Sequence, residues 1–314
     1  MKLDLDVEAL SRTFRTLFRE GALDLPIVGR GDTSSRHMAL HELGRTDLSL
    51  ARVAEAHTDA IAILVEAGRT PIEGALYGVW ASEGPGSQLA LEKKSNGELT
   101  LNGSKRYCSG CLFLDAALVT ARSDEGVLLL EVPLRTPEIS MDATEWVAPA
   151  FHATATGSVE FRNVRVTRAQ IVGTPGWYLT RPGFWHGALG PASAWAGGAA
   201  GLVDVARNAK RPNPHYLAHL GALEAAEWGM RAVLDRAGRE IDADPQDATG
   251  KGRSRALMAR HLIERACTEV LDHFGRATGP ALLAYDSKVA QRYAELTLYI
   301  RQCHAERDLQ ALAE

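Results

Sequence analysis

The spacing of apolar residues changes twice along this chain, from helical to strand-like and back, and that limits the fold more than any single motif. Over residues 1–75 apolar side chains recur three to four apart: Phe14, Leu17 and Phe18 in one stretch, Leu50, Val53, Ala54, Ile61, Leu64 and Val65 in another. Asp47 or Ser49 can cap the second helix and Gly68 can end it. A polar loop, residues 29–36, separates the two. Residues 76–174 switch to short alternating runs. Asn96-Gly97 and Asn102-Gly103 read as hairpin turns. Strands are expected over 88–93, 98–101, 116–120, 126–132 and 158–161, and Val159, Phe161, Val164 and Val166 mark an alternating face. Residues 175–314 return to helical spacing, with long helices expected over 185–208, 214–241, 253–274 and 282–312. Pro212, Pro214, Pro245, Gly250 and Gly279-Pro280 separate them. The pattern is that of an α+β multidomain chain. It has a short N-terminal helical lobe (1–75), a central antiparallel β barrel or sandwich (76–174) and a C-terminal four-helix up-down bundle (175–314).

Composition removes several classes of function. A chain of 314 residues, 46% hydrophobic, can bury a sizeable core, which excludes wholesale disorder. A net charge of −4 argues against a nucleic-acid partner. Four cysteines do not make a disulfide framework, and the first twenty residues lack the pattern of a secretory leader, so a cytoplasmic location is expected. No apolar run is long enough for a membrane span. The most apolar stretch, residues 187–205, is rich in Gly and Ala and reads as a buried helix. Gly197, Gly198 and Gly201 there would let another backbone come close.

Three segments of the β zone carry a resemblance. Trp80-Ala81-Ser82-Glu83-Gly84-Pro85-Gly86-Ser87 looks like a Thr/Ser-Glu-Pro-x-x-Gly-Ser segment, one residue shorter. Leu101-Asn102-Gly103-Ser104-Lys105-Arg106-Tyr107-Cys108-Ser109 looks like Leu-Asn-Gly-x-Lys-x-Trp-Ile-Thr. Val159-Glu160-Phe161-Arg162-Asn163-Val164-Arg165-Val166 is similar to Val-x-Phe-x-x-Val-x-Val. In this order, between two helical zones, they resemble the acyl-CoA dehydrogenase family of flavoproteins. The resemblance implies FAD as cofactor and a β domain that contacts it. By position Ser82 matches the hydroxyl residue of the first motif and Ala81 its backbone neighbour. Tyr107 takes the place of the ring-packing Trp, and Ser109 that of the Thr whose hydroxyl faces the flavin. Taken as single residues, Tyr107 also fits a core strand position, and Ser82 and Ser109 fit turn hydroxyls. His273-Phe274-Gly275-Arg276 stands where the family holds the FAD pyrophosphate, which makes Gly275 and Arg276 candidate contacts.

The same resemblance implies α,β-dehydrogenation of an acyl thioester or similar small molecule, with a carboxylate removing the α-proton. Near the base position stand Asp308 and, slightly earlier, Glu306. His304 and Asp308 also fit the spacing of the oxygen-using branch's Arg-x-x-x-His-x-x-x-Asp-type segment, in which a His serves a flavin monooxygenase. On one helix His304 and Asp308 would share a face. A solvated charged helix end fits these residues equally well. A non-catalytic scaffold of the same fold is the third reading. The family's usual assembly implies a homodimer or homotetramer, and the short leading helical segment implies an open substrate site or one completed by a partner chain. Cys108-Ser109-Gly110-Cys111 reads as strand and turn positions rather than a redox pair, and His215 and His219 as ordinary helix residues.

Overall fold

A computed structural model describes residues 5–209 and 213–314. Pro212, expected to separate two helices, lies outside the described residues. Three helices come first: α1 (Leu5–Arg19), α2 (Thr33–Thr46) and α3 (Leu48–Glu66). The strands are β1 (Tyr77–Trp80), β2 (Leu89–Lys93), β3 (Leu99–Cys108), β4 (Ala116–Ser123), β5 (Gly126–Pro133), β6 (Ile139–Asp142), β7 (Gly157–Val166) and β8 (Ile171–Val172). Then come α4 (Trp177–Thr180), α5 (Pro182–Gly187), α6 (Leu189–Ala209), α7 (Pro214–Ala243), α8 (Gly252–Thr278), α9 (Pro280–Tyr285), α10 (Ser287–Tyr299) and α11 (Glu306–Ala313). The chain divides into two compact units, residues 1–24 with 56–184 and residues 25–55 with 185–314. Residues 1–75 are thus shared between the two.

The first unit is built on one mostly antiparallel sheet in the order β6-β7-β3-β2-β4-β5-β8, with β1 added in parallel to β4. Asn96-Gly97 does make the β2–β3 hairpin: Gly97 takes φ 84° and the Lys94 N–H donates to the Glu98 carbonyl. Asn102-Gly103 is not a turn. It lies inside β3, where the pairing with β7 shifts register between Leu101 and Gly103. Gly103 sits at φ 117°, and a Cβ there would run into the Gln88 carbonyl oxygen. A bulge uses the same residue types as a turn, so the dipeptide alone does not separate them. Ile63 and Leu64 of α3 pack with Leu118, Leu129 and Val172 in the core of this unit. At its edge the Tyr77 hydroxyl donates to Glu131 Oε1 at 2.5 Å, and Arg69 pairs with Glu131 Oε2 at 2.6 Å. The Tyr77 N–H donates to His57 Nδ1 at 3.1 Å.

In the second unit α7 lies along α8, α6 packs on α8, and α10 packs on α6. A further helix, α2, packs on α6 and α7. Its periodicity is invisible in sequence because its buried face is polar: Thr33, Arg36, His37 and His41 stand beside Leu40 and Gly44. Its N-terminus is capped from afar. Asp242 of α7 accepts from the Thr33 N–H at 2.9 Å and the Thr33 hydroxyl at 2.6 Å. Gly197 of α6 faces the His41 carbonyl and Gly44 faces the Ala194 carbonyl, so any Cβ at either would force the two helices apart. That is the close approach expected of the Gly/Ala-rich stretch. The helix expected over 282–312 is divided into α9, α10, a short turn at Ile300–Gln302 and α11. Asp286 starts α10 by accepting from the Lys288 and Val289 N–H groups. Ala305, at φ 43°, breaks the run before α11. No helix among the described residues is long and apolar enough to cross a membrane.

Candidate functional site

In the first unit the two best motif segments come together at one end of the sheet. Ala81 and Ser82 follow β1, and Tyr107 and Ser109 stand at the end of β3. The Trp80 indole N–H donates to the Ser109 carbonyl at 3.2 Å, which ties the segments. Beneath them lies Lys105, only 1% exposed. Its ammonium donates to Thr120 Oγ1 at 2.7 Å and to the Ser82 carbonyl at 3.4 Å, while the Thr120 hydroxyl donates to the Ala81 carbonyl at 3.2 Å. With both carbonyls turned inward and the peptides trans, the N–H groups of Ser82 and Glu83 point the other way. Burial pushes the Lys105 pKa down, with Glu83 opposing. Lys105 is a residue that sequence reasoning quoted but gave no role. No local signal marked it, because Arg106 follows it directly in the same strand and only the fold buries one of the two cations.

Tyr107 is 51% exposed and holds φ 61°, a left-handed conformation that non-glycine residues seldom adopt. The pairing of β3 with β7 shifts here as well. Gly84 lies against this residue: a Cβ there would meet the Tyr107 ring at 3.1 Å and Arg106 Cβ at 2.9 Å. Ser109 turns its hydroxyl to Thr156 Oγ1 at 3.0 Å. An exposed aromatic ring, two outward peptide N–H groups and a serine hydroxyl on one rim fit a flat heteroaromatic ligand with polar edges.

The second unit holds the remaining candidates. His304 and Asp308 are brought together, but not on one helix face. The break at Ala305 places His304 before α11, and Asp308, 8% exposed, accepts from the His304 N–H at 3.2 Å. The His304 imidazole stands 3.7 Å from Asp308 Oδ1 with its side chain 56% exposed. Partial burial and Arg307 push its pKa down, against Asp308. Glu306 is exposed in the first turn of α11. Arg260 fixes the segment from below. It donates to the Ala188 carbonyl at 2.7 Å and the Gln302 carbonyl at 3.0 Å, and stacks on Trp195 at 4.7 Å. No spacing in the sequence marks Arg260, because its partners are main-chain carbonyls.

Gly275 and Arg276 lie in the last turns of α8, which runs unbroken to Thr278. Arg276 is engaged by Asp272 at 2.8 Å, one turn back. Cys108 and Cys111 are free, buried thiols whose pKa values burial raises. His219 meets His273, Nδ1 to Nδ1 at 2.9 Å. Among the described residues no group of three or more His, Cys, Asp or Glu side chains is arranged to hold a metal ion.

No protein-family model matches the chain. The probable FMNH2-dependent monooxygenase SfnC of Pseudomonas putida is 25% identical over 231 residues, 62% of this chain. The match spans 57% of that relative's length. Solved structures cover nearly the whole chain. Methanesulfinate monooxygenase MsuC from Pseudomonas fluorescens gives a TM-score of 0.78 at 17% identity, covering 99% of this chain and 96% of its own. KijD3, in complex with FMN and a dTDP-linked amino-keto sugar, gives 0.82 at 18% identity, over 96% and 85%. Butyryl-CoA dehydrogenase from Megasphaera elsdenii gives 0.76 at 18% identity, over 99% and 89%. The resemblance carried by the motifs thus extends to the whole architecture, and the chain has the acyl-CoA dehydrogenase fold.

Proposed function

We propose that this protein is a flavin-dependent monooxygenase that takes reduced FMN and molecular oxygen and oxidises a small organic molecule. Asp308 carries the reading. The carboxylate nearest the expected base position is buried and engaged by the His304 amide, while the His304 imidazole stays half exposed. A dehydrogenase needs the carboxylate; an oxygen-using enzyme is served by the imidazole. The likeness to SfnC and the FMN in the KijD3 complex support FMN over FAD. So does the continuous α8, which offers no glycine-rich loop at Gly275 and Arg276 to cradle a pyrophosphate.

Bound reduced flavin would supply the electrons that activate oxygen. Tyr107 would pack against the ring, the N–H groups of Ser82 and Glu83 would bind its carbonyl edge, and the Ser109 hydroxyl would meet its central edge. Lys105 and Thr120 hold the loop that presents these donors. In the second unit His304 would be the proton-moving group, with Asp308 accepting from its backbone N–H and Arg260 bonded to the neighbouring Gln302 carbonyl. A homodimer or homotetramer belongs to the same reading, and sedimentation tests it.

The butyryl-CoA dehydrogenase likeness favours a second reading, an FAD-dependent dehydrogenase with Glu306 or Asp308 as base and Gly275 and Arg276 near the pyrophosphate. One experiment separates the two. The protein is supplied with FMN, a flavin reductase and labelled oxygen, and with candidate substrates. Label in the product supports the monooxygenase. Anaerobic bleaching of bound flavin by an acyl thioester, without labelled product, overturns it in favour of the dehydrogenase.

A further inference from the structure

Spacing along α7 places His215 one turn before His219. The structure gives His219 a partner from the neighbouring helix instead. Its Nδ1 lies 2.9 Å from Nδ1 of His273 on α8, with the ring centroids 5.1 Å apart and the ring planes at 54°. Two imidazoles meet nitrogen to nitrogen in only one way: one donates its hydrogen and the other accepts into its lone pair. Both rings are half-buried, and the packing beneath holds the helices at this spacing. Leu223, one turn after His219, is 0% exposed, and so are Val270 and Phe274 around His273. Further along the same pair of helices Cys267 Sγ and Met230 Sδ lie 3.6 Å apart. One metal-binding nitrogen from each of two packed helices is thus fixed in place before any ion arrives.

We propose that His219 and His273 form a bidentate site for a divalent d-block ion (copper, nickel or zinc) that clips α7 to α8. Imidazole nitrogen suits these ions, whereas magnesium and calcium take oxygen ligands. Metal–nitrogen bonds of about 2.0–2.1 Å put two ligand nitrogens about 2.9 Å apart at a right angle and about 3.3 Å apart at the tetrahedral angle. The observed 2.9 Å matches the first and lies close to the second. An ion therefore replaces the shared hydrogen with little movement of either helix. The ring that carries its hydrogen on Nδ1 moves it to Nε2. Both Nδ1 lone pairs then face the ion, and neutral rings release no net proton. Among the described residues no third His, Cys, Asp or Glu joins the pair, so the remaining coordination positions fall to water or to a ligand from solution. No residue assigned above to flavin or to the acid–base step takes part.

The test is equilibrium dialysis of the full-length protein, first stripped with EDTA, against zinc, nickel or copper chloride, with magnesium chloride as the control. A single zinc ion per chain is expected. Copper should bind more tightly than nickel or zinc, and magnesium should not bind. The urea midpoint should rise as free zinc increases, because the ion favours the folded helix pair. His219→Ala and His273→Ala should each weaken zinc binding at least about tenfold, whereas His215→Ala should leave it unchanged. His219→Gln and His273→Gln replace an alanine variant that does not fold. In electron paramagnetic resonance the copper complex should show coupling to two imidazole nitrogens, and to one in either variant. Zinc binding that survives both folded single variants overturns the clip. So does binding lost in His215→Ala but kept in His273→Ala, which assigns the ion to one face of α7. Absence of saturable binding of all three ions overturns it too and leaves the flavin reading standing.

Discussion

The ammonium of Lys105 lies 2.7 Å from the hydroxyl of Thr120, at a depth where Lys105 is 1% exposed. A buried cation is costly unless its donors are used. Here they are used to draw the Ala81–Ser82 backbone inward, so its burial has a local purpose: it sets the direction of the outward N–H groups.

Lys105→Met tests that purpose. Methionine matches the volume and removes both the charge and the donors. Lost hydrogen bonds and relieved desolvation largely offset each other, so stability should change by no more than about 1–2 kcal/mol. FMN affinity should fall about tenfold, as one or two aligned donors are lost. Denaturant titration and flavin titration on the same preparation check this. An unchanged affinity in a folded variant would remove Lys105 from the site.

Acid should weaken each unit through a buried histidine. Burial lowers the pKa of His37, in the second unit, to about 4, although its Nδ1 contact with the Leu234 carbonyl works the other way. Burial also lowers His57, in the first unit, to about 4. Between about 4 and the ordinary 6.5 the unfolded chain therefore binds more protons than the folded one. Stability is lost as pH falls through that window and stops being lost below it. Each histidine accounts for on the order of 3 kcal/mol. Urea midpoints measured across the window should fall, and the slope should flatten in His37→Asn and His57→Asn.

Gly103→Ala should destabilise the first unit by more than about 3 kcal/mol, because φ 117° is strained for alanine and the new methyl meets the Gln88 carbonyl. Gly97→Ala, at a turn with open space around it, should cost about 1 kcal/mol. Comparison of the two by chemical denaturation separates bulge from turn. Equal losses would contradict the bulge.

His304→Gln should lower product formation by about a hundredfold or more, the usual scale for a lost acid–base group, with FMN affinity intact. Asp308→Ala should loosen the start of α11 by about 1 kcal/mol, since it removes the acceptor for the His304 N–H, and should lower turnover less than His304→Gln does. Rapid-quench product assays and hydrogen exchange over the last turns read the two effects. A larger loss from Asp308→Ala than from His304→Gln would return the carboxylate to the centre of the chemistry.

Strand, helix and motif positions were largely legible in the chain. Asp47 caps α3, accepting from the Leu50 N–H, and Gly68 ends it at φ 69°. Val159, Phe161, Val164 and Val166 are buried on one face of β7. These depend on neighbours a few residues away, where period and capping chemistry operate. Ala81 and Ser82 were found with Tyr107 and Ser109 because both segments carry recognisable motifs. Arg260 was missed because its partners are carbonyls that every residue possesses.

The chain's own pattern determined the alternation of helical and strand zones and the residues of the sheet rim, since both follow from local periodicity. Tertiary structure alone decided two things. The N-terminus of α2 is capped by Asp242, 209 residues from Thr33, and no local rule anticipates a cap from that distance. Asn102-Gly103 is a bulge because β7 and the Gln88 carbonyl lie alongside it.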